Sequence, residues 1–124
     1  MIADEILRIP ARWRLEYLNI VSGTVTVPTC TVIVDDGYGK QQEFGSGVGP
    51  VDAVYNTIKK ITGMNPKLLR FTIGSITGGM DAQGEVTARL EQDGHTVLGR
   101  SSDPDILVAA AKAYLNGLNR LDYI

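Results

Sequence analysis

A lone histidine, a lone cysteine, a run of serines ahead of aspartates and a glycine-rich stretch are where this sequence carries residues that could do chemistry. His95 has no second histidine with which to build a metal set, so a structural or surface role is expected for it. Cys30 is also single and sits in an apolar, strand-like run. It reads as a buried thiol, excludes an intrachain disulfide and fits a reducing compartment. Ser101-Ser102-Asp103-Pro104-Asp105 has the look of an active-site loop, yet serine and aspartate before a helix are ordinary capping residues. No nucleophile elbow is present.

The stretch Gly45-Ser46-Gly47-Val48-Gly49-Pro50-Val51-Asp52 is the most suggestive. It reads as a strand end passing through alternate glycines into a helix that opens with proline and carries a carboxylate in its first turn. Missing side chains at the glycines would leave backbone donors and a helix N-terminus facing open space. The glycine spacing is not that of a dinucleotide fingerprint, and the lysine of a phosphate-binding loop is absent. Asp52 and Asp105 each admit two readings. They are favourable charge at a helix start, or they lie beside a ligand ammonium while free helix N–H groups take its carboxylate, as a zwitterionic amino acid would require. Tyr55 and Leu107 are either core residues or the lining of a small apolar side-chain pocket.

These residues need elements to hold them. Alternation predicts a strand over Arg12–Val21, and Thr24–Val34 is rich in β-branched residues, with Pro28 expected at an edge or bulge. Asp35-Asp36-Gly37-Tyr38-Gly39 connects to a third strand, Lys40–Gly47. A helix from about Pro50 to Ile61 aligns Val51, Val54, Tyr55, Ile58 and Ile61 on one face, and Gly63 ends it. Strands over Leu68–Ile76, Glu85–Glu91 and His95–Arg100 follow. Thr77-Gly78-Gly79-Met80-Asp81 and Asp93-Gly94 form the turns between them, and Val86, Ala88 and Leu90 point inward. The last helix, about Asp103–Leu118, is apolar nearly all round, with Lys112, Asn116 and Asn119 as its wet stripe. Two dry faces in so small a domain suggest a partner beyond its own sheet, most economically a second copy.

Three strands and a helix thus occur twice. Ser22-Gly23 falls on Thr77-Gly78, Gly39 on Gly94, and Asp52 on Asp105, at separations of 55, 55 and 53 residues. The expected fold class is α+β, with internally duplicated βββα units, antiparallel sheets and packed helices related by a pseudo-two-fold axis. Residues 1–11 read as a linker or tail from a longer chain. Residues 12–120 read as one domain made of repeats at about 12–63 and 68–119.

Composition bounds the function. The chain has 124 residues and is 44% hydrophobic, enough for one core. Its 12 basic and 14 acidic residues leave a net charge of −2, and Lys59-Lys60 is the only basic doublet, which argues against a nucleic-acid partner. No apolar run approaches the roughly 18 residues of a membrane span, and no secretion signal opens the chain, so a cytoplasmic protein without a membrane partner is expected.

The run Gly47-Val48-Gly49-Pro50-Val51-Asp52-Ala53, the segment Thr77-Gly78-Gly79-Met80-Asp81-Ala82-Gln83-Gly84-Glu85-Val86, and the later Ser102-Asp103-Pro104-Asp105-Ile106 and Ala113–Asn119 together resemble the C-terminal regulatory domain of the 2-isopropylmalate and citramalate synthases. The likeness covers about residues 12–120. It implies a homodimeric domain attached to a metal-dependent barrel that condenses acetyl-CoA with a 2-oxo acid. The end-product amino acid, leucine or isoleucine, would bind and inhibit at a distance. The barrel and its divalent metal lie outside these residues, so no cofactor and no catalysis are expected of the chain by itself. Carried over by motif, Gly49, Pro50, Val51, Asp52 and Tyr55 would form one side of the effector site. Thr77, Gly78, Asp81 and Ala82, with Pro104, Asp105 and Leu107, would form the other, and a partner chain would contribute part. The second half reads Gly99-Arg100-Ser101-Ser102, without the glycine spacing of the first, so Arg100 either meets a ligand carboxylate or crowds the pocket. A dimerisation module without ligand binding and a small independent enzyme are the competing classes, and the sequence shows no polar constellation for the latter.

Overall fold

A computed structural model describes residues 12–23, 27–76 and 83–123. Strands β1 (Arg14–Val21), β2 (Thr29–Asp35) and β3 (Lys40–Ser46) form one antiparallel sheet in the order β1-β2-β3, and helix α1 (Pro50–Thr62) follows it. Strands β4 (Lys67–Ile76), β5 (Gln83–Gln92) and β6 (His95–Asp103) form a second sheet in the order β4-β5-β6, followed by helix α2 (Ile106–Tyr123). The duplicated βββα architecture expected from the sequence is therefore the observed one. Local chemistry sets the hairpins. Asp36 accepts the Tyr38 and Gly39 N–H groups, both at 2.8 Å, while Asp93 (φ 53°) and Gly94 (φ 81°) supply the left-handed pair that a two-residue connection needs.

The repeat extends to irregularities. Each first strand has a register shift at the same step, between Leu15 and Tyr17 opposite Val34, and between Leu68 and Arg70 opposite Leu90. Counting outward from those matched pairs, Gly47 beside Pro28 corresponds to Asp103 opposite Gly84, and Gly49 corresponds to Asp105. The offset at the helix starts is 56 positions rather than 53. The sequence-based superposition of Asp52 on Asp105 is thereby corrected: Asp52 corresponds to Val108, and the carboxylates occupy different helical positions.

The core lies between sheets and helices. Cys30, Val32 and Val34 of β2 and Val86, Ala88 and Leu90 of β5 point into it, against Ala53, Val54, Ile58, Ala109, Ala110, Ala113, Tyr114 and Leu118. α2 sits close to its sheet because Gly99 has no side chain; a Cβ there would meet the Ala113 carbonyl and stand 2.6 Å from the Gly117 nitrogen. The helices meet through Tyr55 and Tyr114, whose rings stack at 4.1 Å, and through Tyr55 Oη, which donates to the Ala110 carbonyl at 3.3 Å.

Several boundaries differ from expectation. β2 starts at Thr29, so Pro28 precedes the ladder and serves only as an acceptor, its carbonyl taking the Gly47 N–H at 3.2 Å. β6 continues to Asp103, opposite Gly84, which delays α2 to Ile106. α2 then runs five residues past Leu118, to Tyr123. The supposed wet stripe also divides. Lys112 is exposed, but Asn119 is 8% exposed and clasps the backbone of Trp13: its Oδ1 accepts the N–H at 2.9 Å and its Nδ2 donates to the carbonyl at 3.0 Å. β1 and α1 of the same chain thus help cover the second dry face of α2, and that face alone does not call for a second copy.

Candidate functional site

The start of α1 is open. Its N-cap is Gly49, which contributes no side-chain bond, and Pro50 follows at the first helical position. Among the described residues the N–H groups of Val51 and Asp52 have no acceptor; the first bond of the helix runs from Ala53 N–H to the Gly49 carbonyl at 2.9 Å. Asp52 points back toward the strand, where its Oδ2 accepts the Val48 N–H at 3.0 Å and the Asn56 amide at 3.4 Å. Asn56 in turn donates to the Ser46 carbonyl at 3.0 Å, so the carboxylate is held in place and its Oδ1 has no partner among the described residues. Positive partial charge from the helix start and a fixed carboxylate are therefore side by side.

The alternate glycines prove to have different duties. A Cβ on Gly45 would run into the Thr57 side chain, and one on Gly47 would stand 2.5 Å from both the Ala53 nitrogen and Asp52 Oδ2. Those two let α1 settle onto β3. At Gly49 nothing lies within 4 Å, so it alone faces the open space expected of the whole stretch.

The start of α2 is closed. Asp105 is its cap, with Oδ1 accepting Leu107 N–H at 2.9 Å and Val108 N–H at 3.5 Å. Asp103 Oδ1 accepts the Asp105 N–H at 2.9 Å, and its Oδ2 pairs with Lys112 Nζ at 3.3 Å. The Asp105 N–H bond, helped by Lys112, holds the Asp103 carboxyl below the usual carboxylate range. An incoming carboxylate would have to displace the helix's own cap. The two helix starts are not equivalent.

Of the remaining candidates, Tyr55 is 4% exposed and lies in the seam between helices, edge-on to Phe71 at 6.0 Å. Val51 and Leu107 are half-buried and Pro104 is exposed. Thr77, Gly78, Asp81 and Ala82 lie outside the described residues. No hydrogen bond or ion pair joins Asp52 to Asp105 among those described. His95 is exposed at the β5–β6 turn. Cys30 Sγ lies 3.0 Å from Thr57 Oγ1 and 3.2 Å from the Ala53 carbonyl, and burial pushes its thiol up despite the opposing effects of Thr57 and Lys60. Among the described residues no three histidine, cysteine, aspartate or glutamate side chains gather as a metal site, and no helix is long and apolar enough to cross a membrane.

Residues 1–122 match the family model of the LeuA allosteric (dimerisation) domain. The chain belongs to that family. It is 46% identical over 124 residues to a 2-isopropylmalate synthase of Syntrophus aciditrophicus, covering 100% of this chain and 24% of that protein. It is 48% identical over 122 residues to one of Nitratidesulfovibrio vulgaris, covering 98% and 24%. The figures for one of Heliobacterium modesticaldum are 46% over 121 residues, 98% and 24%. The chain thus spans about a quarter of the length of these relatives. It corresponds to the regulatory and dimerisation portion of the family, as its motifs implied.

One group of residues escaped the sequence reading. Arg14, Arg100, Lys112, Asn116 and Asn119 come from three separate elements and line one cavity with Trp13, Leu15, Ser101 and Leu115. Lys112, Asn116 and Asn119 were read as a wet stripe and Arg100 as meeting a ligand carboxylate or crowding the effector pocket, but nothing in the sequence joined them to one another or to Arg14.

Proposed function

We propose that this LeuA domain is the leucine sensor of a 2-isopropylmalate synthase and that it mediates feedback inhibition in leucine biosynthesis. The observation that carries the reading is the contrast between the helix starts. α2 is capped by its own Asp105, whereas α1 offers the Val51 and Asp52 N–H groups without acceptors, beside a carboxylate fixed by Val48 and Asn56. An α-amino acid has the matching pair of charges: its carboxylate meets the N–H groups and its ammonium meets Asp52. Gly49, Pro50, Val51 and Asp52 contribute directly, while Tyr55 supports the helix from behind. Thr77, Gly78, Asp81 and Ala82, with Pro104, Asp105 and Leu107, belong to the opposite wall, and Asp105 acts there mainly by holding the backbone of α2.

Homodimerisation supplies the rest of the site. β4 is an outer strand whose helix-side face carries Leu68 and Ile73, opposite the buried Leu90 and Val86. The two are nevertheless 43% and 54% exposed. A second copy seated on this face covers apolar surface continuous with Phe71 and Tyr55. Effector binding that favours one arrangement of the paired domains then biases the attached catalytic barrels, with a coupling of about 1–3 kcal/mol. The parent enzyme is read as a cytoplasmic acyltransferase with a divalent metal in the barrel.

Titration calorimetry with leucine and isoleucine tests the assignment. Saturable binding of leucine that Asp52→Asn weakens at least about tenfold, with melting unchanged, supports it. Tighter binding of isoleucine selects the citramalate-type alternative. A stable dimer that binds neither leaves a dimerisation module and removes the sensor reading.

A further inference from the structure

We propose that the groove between β1, β6 and α2 is a second ligand site, for a small dianion such as a dicarboxylate or a phosphate group. It is separate from the amino-acid site at α1 and does not depend on it. The groove is a cavity of about 340 Å³ whose walls are Trp13–Leu15 and Arg100–Ser101 and whose floor is Lys112, Leu115, Asn116 and Asn119. That volume lies within the range of small-molecule sites.

Charge identifies the occupant. Arg14, Arg100 and Lys112 line the groove from three elements of a chain whose net charge is negative. Lys112 is neutralised by Asp103 at 3.3 Å, but neither arginine has a carboxylate within ion-pair distance among the described residues. Asp35, opposite Arg14 in the ladder, bonds the Gly37 N–H through Oδ1 and makes no ion pair with Arg14 among the described residues. Two guanidinium groups thus lack an ion-pair partner among the described residues, and each is a planar fork suited to an oxyanion. The Ser101 hydroxyl provides a further donor.

The walls are fixed in advance. Asn119 clasps Trp13 through both backbone groups, and Asn116 Oδ1 accepts the Arg100 N–H at 3.1 Å and Arg120 Nε at 3.4 Å. Arg12 stacks 4.5 Å above the Trp13 ring and pairs with Asp122 at 3.0 Å. These contacts lower the ordering cost of binding. They also disfavour an added peptide strand. β1 and β6 are outer strands, but their edge groups at Trp13 and Arg100 are already bonded to asparagines, so the available donors are side chains suited to a compact anion.

Malate and inorganic phosphate, titrated separately at physiological salt, test the site by calorimetry and by NMR of the Asn116 and Asn119 amides. Saturable binding of either probe is expected, and the better probe distinguishes carboxylate from phosphate chemistry. Arg14→Gln and Arg100→Gln should each weaken it at least about tenfold, Arg14→Lys should weaken it less, and Asp52→Asn should leave it unchanged. Both arginines are exposed, so unchanged melting temperatures are expected for these variants. Absence of saturation up to about 20 mM with both probes, or equal affinity in the glutamine variants, would overturn the proposal. Leucine titrated into the same variants reports on the amino-acid site independently.

Discussion

Replacing Asn119 with alanine tests how the two halves are joined. Its amide gives Trp13, 106 positions earlier, the paired bonds that a neighbouring strand would have given, at 2.9 and 3.0 Å. Asn119 is 8% and Trp13 is 4% exposed, so the alanine variant strands a buried N–H and a buried carbonyl. Each orphaned group costs about 1–3 kcal/mol. Alanine returns roughly half a kcal/mol of helix propensity, and water entering from the adjacent groove relieves part of the remainder. The net loss is expected at about 2–4 kcal/mol. An unfolding entropy near 2.1 cal/mol/K per residue makes each kcal/mol worth about 4 °C in a chain of this size, so the melting temperature should fall by about 8–15 °C. Asn116→Ala is the internal control. It removes the bonds from the Arg100 N–H and from Arg120 Nε, donors that can turn to water, and it should cost less than about 1 kcal/mol. Calorimetric melts of the variants, with guanidinium unfolding to check that the denaturant slope is unchanged, give both numbers. If Asn119→Ala lies within about 1 kcal/mol of the wild type, or no lower than Asn116→Ala, the clasp does not join the halves and the reasoning fails.

The glycines of the first helix start should separate by duty. Gly47→Ala places a methyl against backbone and should cost more than about 2 kcal/mol, whereas Gly49→Ala meets open space and should cost less than about 1 kcal/mol in denaturant unfolding. The Asp103 carboxyl is lowered in the folded state, so its stabilising contribution is present above the unfolded carboxylate value and is lost as pH falls through the folded one. The melting-temperature advantage of the wild type over Asp103→Asn should therefore shrink as pH falls through and below the ordinary carboxylate range; an advantage independent of pH would show that charge is not involved. Burial raises the Cys30 thiol, so its contribution is full below the unfolded thiol value and fades as pH rises toward the folded one. An aromatic disulfide reagent at about pH 8 should label Cys30 only after denaturant is added, and rapid labelling of the native protein would contradict the burial.

Much of this protein was legible in its sequence because the signals are local. Alternation in β5, the Asp93-Gly94 turn, the apolar stripe of α1 and the sequence Gly49-Pro50 each depend on residues a few positions apart, and those elements appeared where the pattern put them. The glycine-rich stretch, the Thr77–Val86 segment and the closing motifs, in order along a duplicated layout, together suggested the family. Tertiary structure decided what depends on distant partners. Pairing of β6 with β5 through Asp103 fixed where α2 could begin, and it moved the correspondence of the halves from Asp52–Asp105 to Gly49–Asp105. It also left the α1 start open while Asp105 closed the α2 start, an asymmetry that two similar-looking aspartates concealed. Asn119 looked solvated because a sequence shows which face of a helix is polar but not what lies opposite. Here the opposite surface is the backbone of Trp13, whose hydrogen-bonding groups carry no side-chain signature. The cavity lined by Arg14, Arg100 and Lys112 was invisible for the same reason: its residues lie far apart along the chain, and only the packing of α2 beside two outer strands makes them line one groove.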